Sequence, residues 1–210
     1  MKILAVGMNY RKHVLELNNT VPVEPVLFIK PDSAMTFAPA SKGSANKPFF
    51  LPDFSNEIHY ETELVIKICK LGKNIAARFA HRYYEEVTVG LDLTARDLQQ
   101  KLRKAGMPWE ICKGFDGSAV LGDFVQLKDL GAVQNMDIQL DINGKTVQNG
   151  CTADMIFAVD TVIEYASRFF TLKTGDLIFT GTPSGVGQLF KNDNLVAYLG
   201  DVPLLDFLIK

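Results

Sequence analysis

Short apolar segments separated by turn residues constrain the fold of this chain most strongly. Asn143-Gly144 stands between two such segments, 138–142 and 145–148. Asn-Gly accepts the positive φ angles of a two-residue turn, so this stretch predicts a β-hairpin. Further short strands are predicted at residues 3–6, 26–30, 87–92, 177–180, 195–199 and 204–209. Many strands without regular βαβ alternation argue against a doubly wound sheet and favour an α+β fold that is mainly β.

Apolar residues with helical spacing are confined to a few segments. Helices are predicted at residues 10–17, 78–86, 95–104 and 156–170. Asn9 can cap the first of these helices, and Gly106 can end the third. The chain has 210 residues and no internal repeat or low-complexity stretch. This length predicts a single domain over residues 1–210.

The charge balance limits the classes of partner. The chain has 22 Lys and Arg against 24 Asp and Glu, a net charge of −2, and no basic tract or acidic tail. Neither nucleic acid nor a membrane surface is therefore expected as a partner. The apolar start at residues 1–7 is too short for a signal peptide, and no run approaches a membrane span of about 18 residues. The expected location is the cytoplasm.

The three cysteines fit the same location. Cys69, Cys112 and Cys151 are widely spaced and form no Cys-x-x-Cys pair. A disulfide framework or a thiolate zinc site is therefore not expected, and a reducing compartment suits them better. They are interpreted as small, partly buried apolar side chains.

An acidic pair lies on a predicted strand over residues 58–68. Glu61 and Glu63 are two residues apart and point to the same side, about 7 Å apart at the backbone. Two like charges on a partly buried face are costly unless a cation neutralises them. Asp92, at the end of the apolar strand 87–92, is a third candidate ligand. Three carboxylates without a thiolate suit Mg²⁺ or Mn²⁺, although ordinary solvated surface acids would show the same spacing.

His59 lies beside this acidic pair on the same strand face. It could be a fourth metal ligand, a partner that orients a carboxylate, or a packed core histidine. Three carboxylates already suffice for a site that keeps some waters. The second and third interpretations are therefore favoured.

Other residues with chemical potential occur as i,i+3 pairs on predicted helices. His13 and Glu16 can touch, and a carboxylate-held His suits a general base, although a surface ion pair has the same spacing. Arg96 and Gln99 face back toward Asp92, and Arg offers a planar fork for a carboxylate. Lys113 lies among aromatic residues, where it could extend to solvent or, beside a metal, stabilise an enolate.

A Gly-rich segment follows the predicted strand at 177–180. Residues 181–187 read Gly-Thr-Pro-Ser-Gly-Val-Gly. The segment lacks the Gly-Lys-Ser/Thr end of a phosphate-binding loop and no clear helix follows it, so a nucleotide is not expected. Its backbone N–H groups could still hold a small anion such as a carboxylate.

Taken together, these segments resemble the fumarylacetoacetate hydrolase family from about residue 5 to the C-terminus. The motifs that carry the resemblance are Asn9-Tyr10-x-x-His13, Phe28-Ile29-Lys30-Pro31, Tyr60-Glu61-Thr62-Glu63-Leu64, Leu91-Asp92-Leu93-Thr94-Ala95-Arg96-Asp97 with Gln99, Lys113-Gly114-Phe115-Asp116, and Thr180-Gly181-Thr182-Pro183-x-Gly185-Val186-Gly187. No single motif is decisive, but the ordered set is specific.

The resemblance implies a mixed β-roll with a few peripheral helices, a homodimer, and a Mg²⁺ or Mn²⁺ site. It implies that Glu61, Glu63 and Asp92 bind the metal. It places the substrate contacts on Arg96, Gln99, Lys113 and Thr182.

The short single-domain acylpyruvases and oxaloacetate decarboxylases of this family are the most similar subgroup. The His13 and Glu16 pair matches their lid helix, here expected within residues 9–20, and Gly106-Met107-Pro108-Trp109 also resembles this subgroup. The resemblance implies that a small 2-oxo acid is cleaved at a carbon–carbon bond through a metal-stabilised pyruvate enolate. His13, Glu16 and Lys113 would be the catalytic residues.

Two alternatives share the same residues. One is an isomerase or decarboxylase of unsaturated dicarboxylic 2-oxo acids from aromatic catabolism, which needs proton shuttling and no attacking water. The other is a binding module that holds a small carboxylate through the cation without catalysis. The presence of His13, Glu16 and Lys113 favours an enzyme.

Overall fold

The computed structural model describes the backbone of residues 1–210 and all side chains except those of residues 44 and 45. Its strands are β1 (Ile3–Gly7), β2 (Val26–Lys30), β3 (Met35–Phe37), β4 (Ile58–Tyr60), β5 (Thr62–Ile68), β6 (Tyr84–Asp92), β7 (Thr94–Ala95), β8 (Ala119–Leu121), β9 (Val125–Gln126), β10 (Asp137–Ile142), β11 (Lys145–Cys151), β12 (Leu177–Phe179), β13 (Gly187–Gln188), β14 (Asn194–Leu199) and β15 (Val202–Leu208). Its α-helices are α1 (Arg11–Glu16), α2 (Ala77–Ala80), α3 (Arg96–Ala105), α4 (Glu110–Lys113) and α5 (Val159–Phe169).

Three sheets form the molecule. The largest has the order β2-β1-β12-β5-β6-β8-β3, with β9 also paired to β6, and it is mixed because β1/β12 and β3/β8 are parallel. A four-stranded antiparallel sheet has the order β11-β10-β14-β15, and a small sheet has the order β13-β4-β7. The expected α+β, mainly β architecture is confirmed.

The core lies between the large sheet and the four-stranded sheet. Strands β10, β14 and β15 pack against β5 and β6. Leu64, Ile66, Val89 and Leu91 from the large sheet and Phe207 from β15 are all fully buried there. Burial of such side chains on both faces of β5 and β6 explains why these strands read as nearly continuous apolar runs. Among the described residues, no helix has the length and apolar character that crossing a bilayer requires.

The hairpin prediction is confirmed. Strands β10 and β11 pair antiparallel around Asn143 and Gly144, whose φ angles are 53° and 77°. Gly106 ends α3 with a left-handed φ of 63°, as the sequence predicts.

Several expected element boundaries are wrong. The strand predicted over 58–68 is interrupted at Glu61, because β4 pairs with β7 and β13 while β5 joins the large sheet. The helix predicted over 78–86 ends at Ala80, since the chain from Tyr84 onward pairs with β5.

Asn9 does not cap α1. Its side chain instead accepts a hydrogen bond from Phe157 N at 2.8 Å and donates to Thr180 O at 2.7 Å and Phe157 O at 3.0 Å. These bonds also hold residue 157 in a non-helical position, so α5 begins at Val159 rather than at residue 156. The lid helix expected within residues 9–20 is limited to Arg11–Glu16.

Candidate active site

Three carboxylates meet where β5 begins and β6 ends. Glu63 pairs with Gly90 in the antiparallel register, and Asp92 N donates to Glu61 O at 2.8 Å, which places Glu61 and Asp92 side by side. Glu61, Glu63 and Asp92 are 6%, 2% and 1% exposed, and their ligand atoms lie within 4.8 Å of one another. The structure thus brings together the three acids that the sequence singled out, even though the strand that carries two of them is interrupted.

Two cations face Glu61. Lys113 Nζ lies 2.7 Å from both Glu61 Oε2 and Asp92 Oδ2, and Arg96 Nη2 lies 2.5 Å from Glu61 Oε1. Burial raises the pKa of Glu61, but Lys113 and Arg96 outweigh that effect and hold its pKa well below the ordinary value. Lys113 is 3% exposed, so the interpretation as a side chain extended to solvent is wrong.

Glu63 is held differently. Its Oε2 accepts a hydrogen bond from Gly181 N at 2.7 Å, and no Lys or Arg of the described side chains lies within ion-pair distance of it. Burial raises the pKa of Glu63 well above its ordinary value, and Asp92 and Glu61 raise it further. A cation between the three carboxylates would remove this repulsion.

The donor set fits a divalent metal ion. The three carboxylates are buried with their ligand atoms within 4.8 Å of one another, and Lys30 Nζ lies 2.7 Å from Asp92 Oδ1 as an ion-pair partner. Three carboxylates with neither thiolate nor bound imidazole are the ligand type that Mg²⁺ and Mn²⁺ prefer. The site can therefore hold such an ion, and the residues do not discriminate between the two.

Lys30 is a site residue that sequence reasoning missed. It is fully buried, and its Nζ lies 2.7 Å from Asp92 Oδ1. Its N–H groups are directed at carbonyls, Leu93 O at 3.3 Å, Ser118 O at 3.0 Å and Lys113 O. Burial lowers the pKa of Lys30, and Asp92 opposes that effect. The available signal was a charged residue ending an otherwise apolar strand, β2.

Arg96 and Gln99 meet as their spacing predicts. Arg96 Nη1 donates to Gln99 Oε1 at 2.5 Å, and both side chains are 6% exposed. His59 lies behind Arg96, whose Nε donates to His59 Nδ1 at 3.5 Å. Burial and the neighbouring Arg96 lower the pKa of His59 to about 4, so it is a neutral acceptor at physiological pH. His59 therefore contacts Arg96 and not a carboxylate, and it is outside the group of acids that could share an ion.

Thr182 is positioned by a residue from the other sheet. Gln148 of β11 donates through Nε2 to Thr182 Oγ1 at 2.9 Å and to Pro183 O at 3.0 Å, and its Oε1 accepts from Thr62 N at 3.0 Å. Because Thr182 Oγ1 already accepts a hydrogen bond, its own hydroxyl proton is available for another acceptor. Nothing in the local sequence marks Gln148, since its role arises from the packing of two sheets.

Helix α1 covers the site. His13 is 4% exposed, and its Nδ1 lies 3.3 Å from Glu16 Oε2. Glu16 also accepts hydrogen bonds from Gly185 N, at 3.1 Å to Oε1 and 3.3 Å to Oε2. The Gly-rich segment therefore gives N–H groups to Glu63 and to Glu16, rather than to a phosphate. The pair is not a simple surface ion pair, because the His is buried.

A small enclosed cavity of about 30 Å³ brings these groups together. Its walls include His13, Glu61, Arg96, Gln99 and Lys113. Phe28 and Trp109 add an apolar side, with ring centroids 5.8 Å apart. His13, Arg96, Lys113 and Glu61 thus face one small space beside the acidic cluster.

Comparison with known proteins identifies the family. The family described as "Fumarylacetoacetate (FAA) hydrolase C-terminal" matches residues 2–205. The oxaloacetate tautomerase YcgM of Escherichia coli (strain K12) is 41% identical over 195 residues, which cover 92% of this chain and 86% of that protein. The mitochondrial oxaloacetate decarboxylase of Dictyostelium discoideum is 39% identical over 188 residues, which cover 90% and 84% respectively.

A solved structure agrees with these relatives. The fumarylpyruvate hydrolase from Pseudomonas aeruginosa, crystallised with Mn²⁺ and pyruvate, superposes with a TM-score of 0.92 and 33% identity, covering 100% of this chain and 89% of that one. Sequence profile, relatives and fold agree, and the chain belongs to the fumarylacetoacetate hydrolase family.

Proposed function

We propose that this protein is a metal-dependent enzyme that cleaves a small 2-oxo acid at a carbon–carbon bond, by acylpyruvate hydrolysis, oxaloacetate decarboxylation or both. The observation that carries the proposal is the buried Glu61, Glu63 and Asp92 cluster, whose Glu61 also lines a small cavity with His13 and Lys113. The relatives named as an oxaloacetate decarboxylase and a fumarylpyruvate hydrolase support this substrate class.

The residues around the cavity divide into a binding set and a catalytic set. Mg²⁺ or Mn²⁺, held by Glu61, Glu63 and Asp92, would supply Lewis acidity to the carboxylate and 2-oxo oxygens of the substrate. Arg96, Gln99 and Thr182 bind the substrate carboxylate, with Gln148 leaving the Thr182 hydroxyl proton free to donate. Lys113 places its ammonium where negative charge develops on the enolate oxygen.

His13 and Glu16 supply the proton transfer for hydrolysis. Glu16 fixes Nδ1 of the imidazole and leaves Nε2 as the base. His13 removes a proton from a water molecule, which attacks the distal carbonyl of an acylpyruvate. The carbon–carbon bond then breaks, the acyl group leaves as a carboxylic acid, and the electron pair forms pyruvate enolate, which is protonated to pyruvate. Decarboxylation of oxaloacetate reaches the same enolate without an attacking water.

The first test is pyruvate release from acetylpyruvate and from oxaloacetate, after chelation and after readdition of Mg²⁺ or Mn²⁺. We expect His13→Ala to reduce hydrolysis at least about a hundredfold, the usual scale of general-base catalysis, and to reduce decarboxylation far less. Equal losses for both substrates would argue against water activation. Glu61→Ala should abolish both reactions, and metal-dependent turnover in that variant would reject the ligand assignment.

Proton shuttling without bond cleavage is the second candidate, favoured by the relative named as an oxaloacetate tautomerase. The same proton-transfer groups would serve an isomerase of unsaturated dicarboxylic 2-oxo acids. Rapid enol–keto conversion of oxaloacetate with no release of pyruvate, lost in His13→Ala, would favour this candidate over cleavage.

The remaining proposals concern the whole protein. We propose one catalytic domain over residues 1–210, with α1 as a lid, that acts as a cytoplasmic homodimer. Light scattering should then give twice the chain mass of 23.3 kDa.

A further inference from the structure

An open groove continues outward from the enclosed cavity. It has a volume of about 450 Å³ and is lined by Leu17, Arg96, Gln99, Gln100, Arg103 and Lys104. Leu17, Arg96, Gln99 and Arg103 also line the enclosed cavity. Arg103 therefore belongs to the walls of both spaces, and the groove leads from the cavity to solvent.

The groove follows one face of α3. Arg96, Gln99 and Arg103 are spaced i, i+3 and i+7, so they share that face. Seven residues of helix rise about 10 Å, which sets the scale of the separation between Arg96 and Arg103 along that face. An extended chain of six or seven carbons spans a similar distance. A substrate whose carboxylate lies at Arg96 could thus extend its far end to Arg103.

All charged side chains that line this groove are positive. Arg103, Lys104 and Arg96 supply three cations, and no Asp or Glu is among the lining residues. Arg96 is already paired with Glu61. Arg103 Nη2 donates to a neutral acceptor, Asn19 Oδ1, at 2.6 Å, and no carboxylate of the described side chains forms an ion pair with it. Its positive charge is therefore available to an anion.

We infer that Arg103 binds a second, distal carboxylate of the substrate, so the enzyme prefers 2-oxo acids with a carboxylate-bearing tail. This inference rests on the proposed function, because it assumes that the 2-oxo acid end lies at the metal site. Asn19 follows the lid helix α1, and its bond to Arg103 links the lid to the same subsite. A tail carboxylate would replace or share that bond when the lid is closed.

Binding of two matched acids tests the assignment without any turnover. 2-Oxoadipate and 2-oxohexanoate have equally long chains and differ only in the terminal carboxylate. Their dissociation constants are measured by calorimetry with Mn²⁺ on the wild type, Arg103→Gln, Arg103→Lys and Lys101→Gln. Lys101 is an exposed cation of α3 that does not line the groove, so its variant controls for net charge and folding.

We expect the wild type and Lys101→Gln to bind 2-oxoadipate about five- to tenfold more tightly than 2-oxohexanoate, the scale of one solvent-accessible charge-assisted pair. Arg103→Gln should abolish that preference by weakening only 2-oxoadipate, and Arg103→Lys should retain part of it. In turnover, Arg103→Gln should raise KM for fumarylpyruvate by a larger factor than KM for acetylpyruvate, and Lys101→Gln should change neither.

The outcomes separate a failure of the Arg103 assignment from a failure of the proposed function. If the wild type binds neither acid with Mn²⁺ present, the proposed function is wrong. If it binds both equally, or if Arg103→Gln weakens both by the same factor, the proposed function remains and the role of Arg103 is rejected. If Lys101→Gln loses the preference for 2-oxoadipate to the same extent, the preference comes from the overall charge of the protein and not from Arg103.

Discussion

At the scale of single residues, the site depends on buried cations that compensate buried carboxylates. Lys30 illustrates this dependence, because one fully buried ammonium contacts Asp92 and three backbone carbonyls. Lys30→Met removes the cation beside Asp92 Oδ1 and one hydrogen-bond donor from each of these carbonyls. We expect a loss of about 3–5 kcal/mol in the free energy of unfolding and about ten- to a hundredfold weaker Mn²⁺ binding.

Urea denaturation and Mn²⁺ calorimetry measure the two effects. Lys67→Met is the matched control, because Lys67 pairs with Glu86 at 2.6 Å while their side chains are 37% and 33% exposed. That variant should lose at most about 1 kcal/mol and bind Mn²⁺ normally. Wild-type Mn²⁺ affinity in Lys30→Met would contradict the orienting role.

Asp176 predicts a pH dependence of stability away from the active site. Burial raises its pKa, but Lys2 and Lys173 N–H groups donate to its carboxylate and together lower the pKa below the ordinary value. A depressed carboxyl pKa stabilises the fold above the unfolded-state value of about 4, and the contribution is lost as pH falls through the folded-state pKa.

Asp176→Asn removes this contribution. The difference in unfolding free energy between wild type and variant should be about 2 kcal/mol at pH 7, the scale of hydrogen bonds to a charged group. This difference in unfolding free energy, measured by urea denaturation, should become smaller below about pH 4. A difference that stays constant down to pH 2 would show that the Asp176 carboxylate titrates as in the unfolded chain.

Among the secondary-structure elements, the turn after β12 matters for the candidate metal site, because it places a backbone N–H against Glu63. Gly181 has a φ of 99°, and a Cβ there would lie 2.6 Å from Asn9 Cβ, while its N–H donates to Glu63. Gly175 has a φ of 88° and nothing within 4 Å of its Cβ position. Gly175→Ala should therefore cost about 1 kcal/mol from backbone strain alone.

Gly181→Ala should lower the stability measured by thermal unfolding clearly more than Gly175→Ala does. It should also weaken Mn²⁺ binding about tenfold, because the displaced turn no longer orients Glu63. Both variants add the same methyl group at a positive φ. Similar stabilities and unchanged Mn²⁺ binding in the two would mean that the turn is not coupled to the site.

At the scale of the whole molecule, the packing of the four-stranded sheet on β5 and β6 predicts one cooperative unfolding transition. A ligand that binds only the folded state stabilises it by mass action, so Mn²⁺ at about 100 times its Kd should add about 2.7 kcal/mol. Differential scanning calorimetry with Mn²⁺ and with chelator measures this shift. Asp92→Asn should unfold in one transition and respond much less to Mn²⁺, and two separate transitions in the wild type would contradict a single domain.

The sequence by itself determined the strand-rich class, the hairpin at Asn143-Gly144 and the close approach of Arg96 to Gln99. These features follow from local periods and turn chemistry, which act over a few residues. It also predicted that Glu61 and Glu63 share a face, because strand side chains alternate. The ordered motifs identified the family, which residue spacing alone could not do.

Only the tertiary structure decided what surrounds these residues. Lys30, Gln148 and Asn9 bond to partners 34 to 171 positions away, so the local sequence does not show what these side chains contact. The interruption at Glu61 has the same origin, since strands before and after it join different sheets. Because an unpaired charge is unfavourable in a low-dielectric interior, the buried site contains carboxylates and cations together.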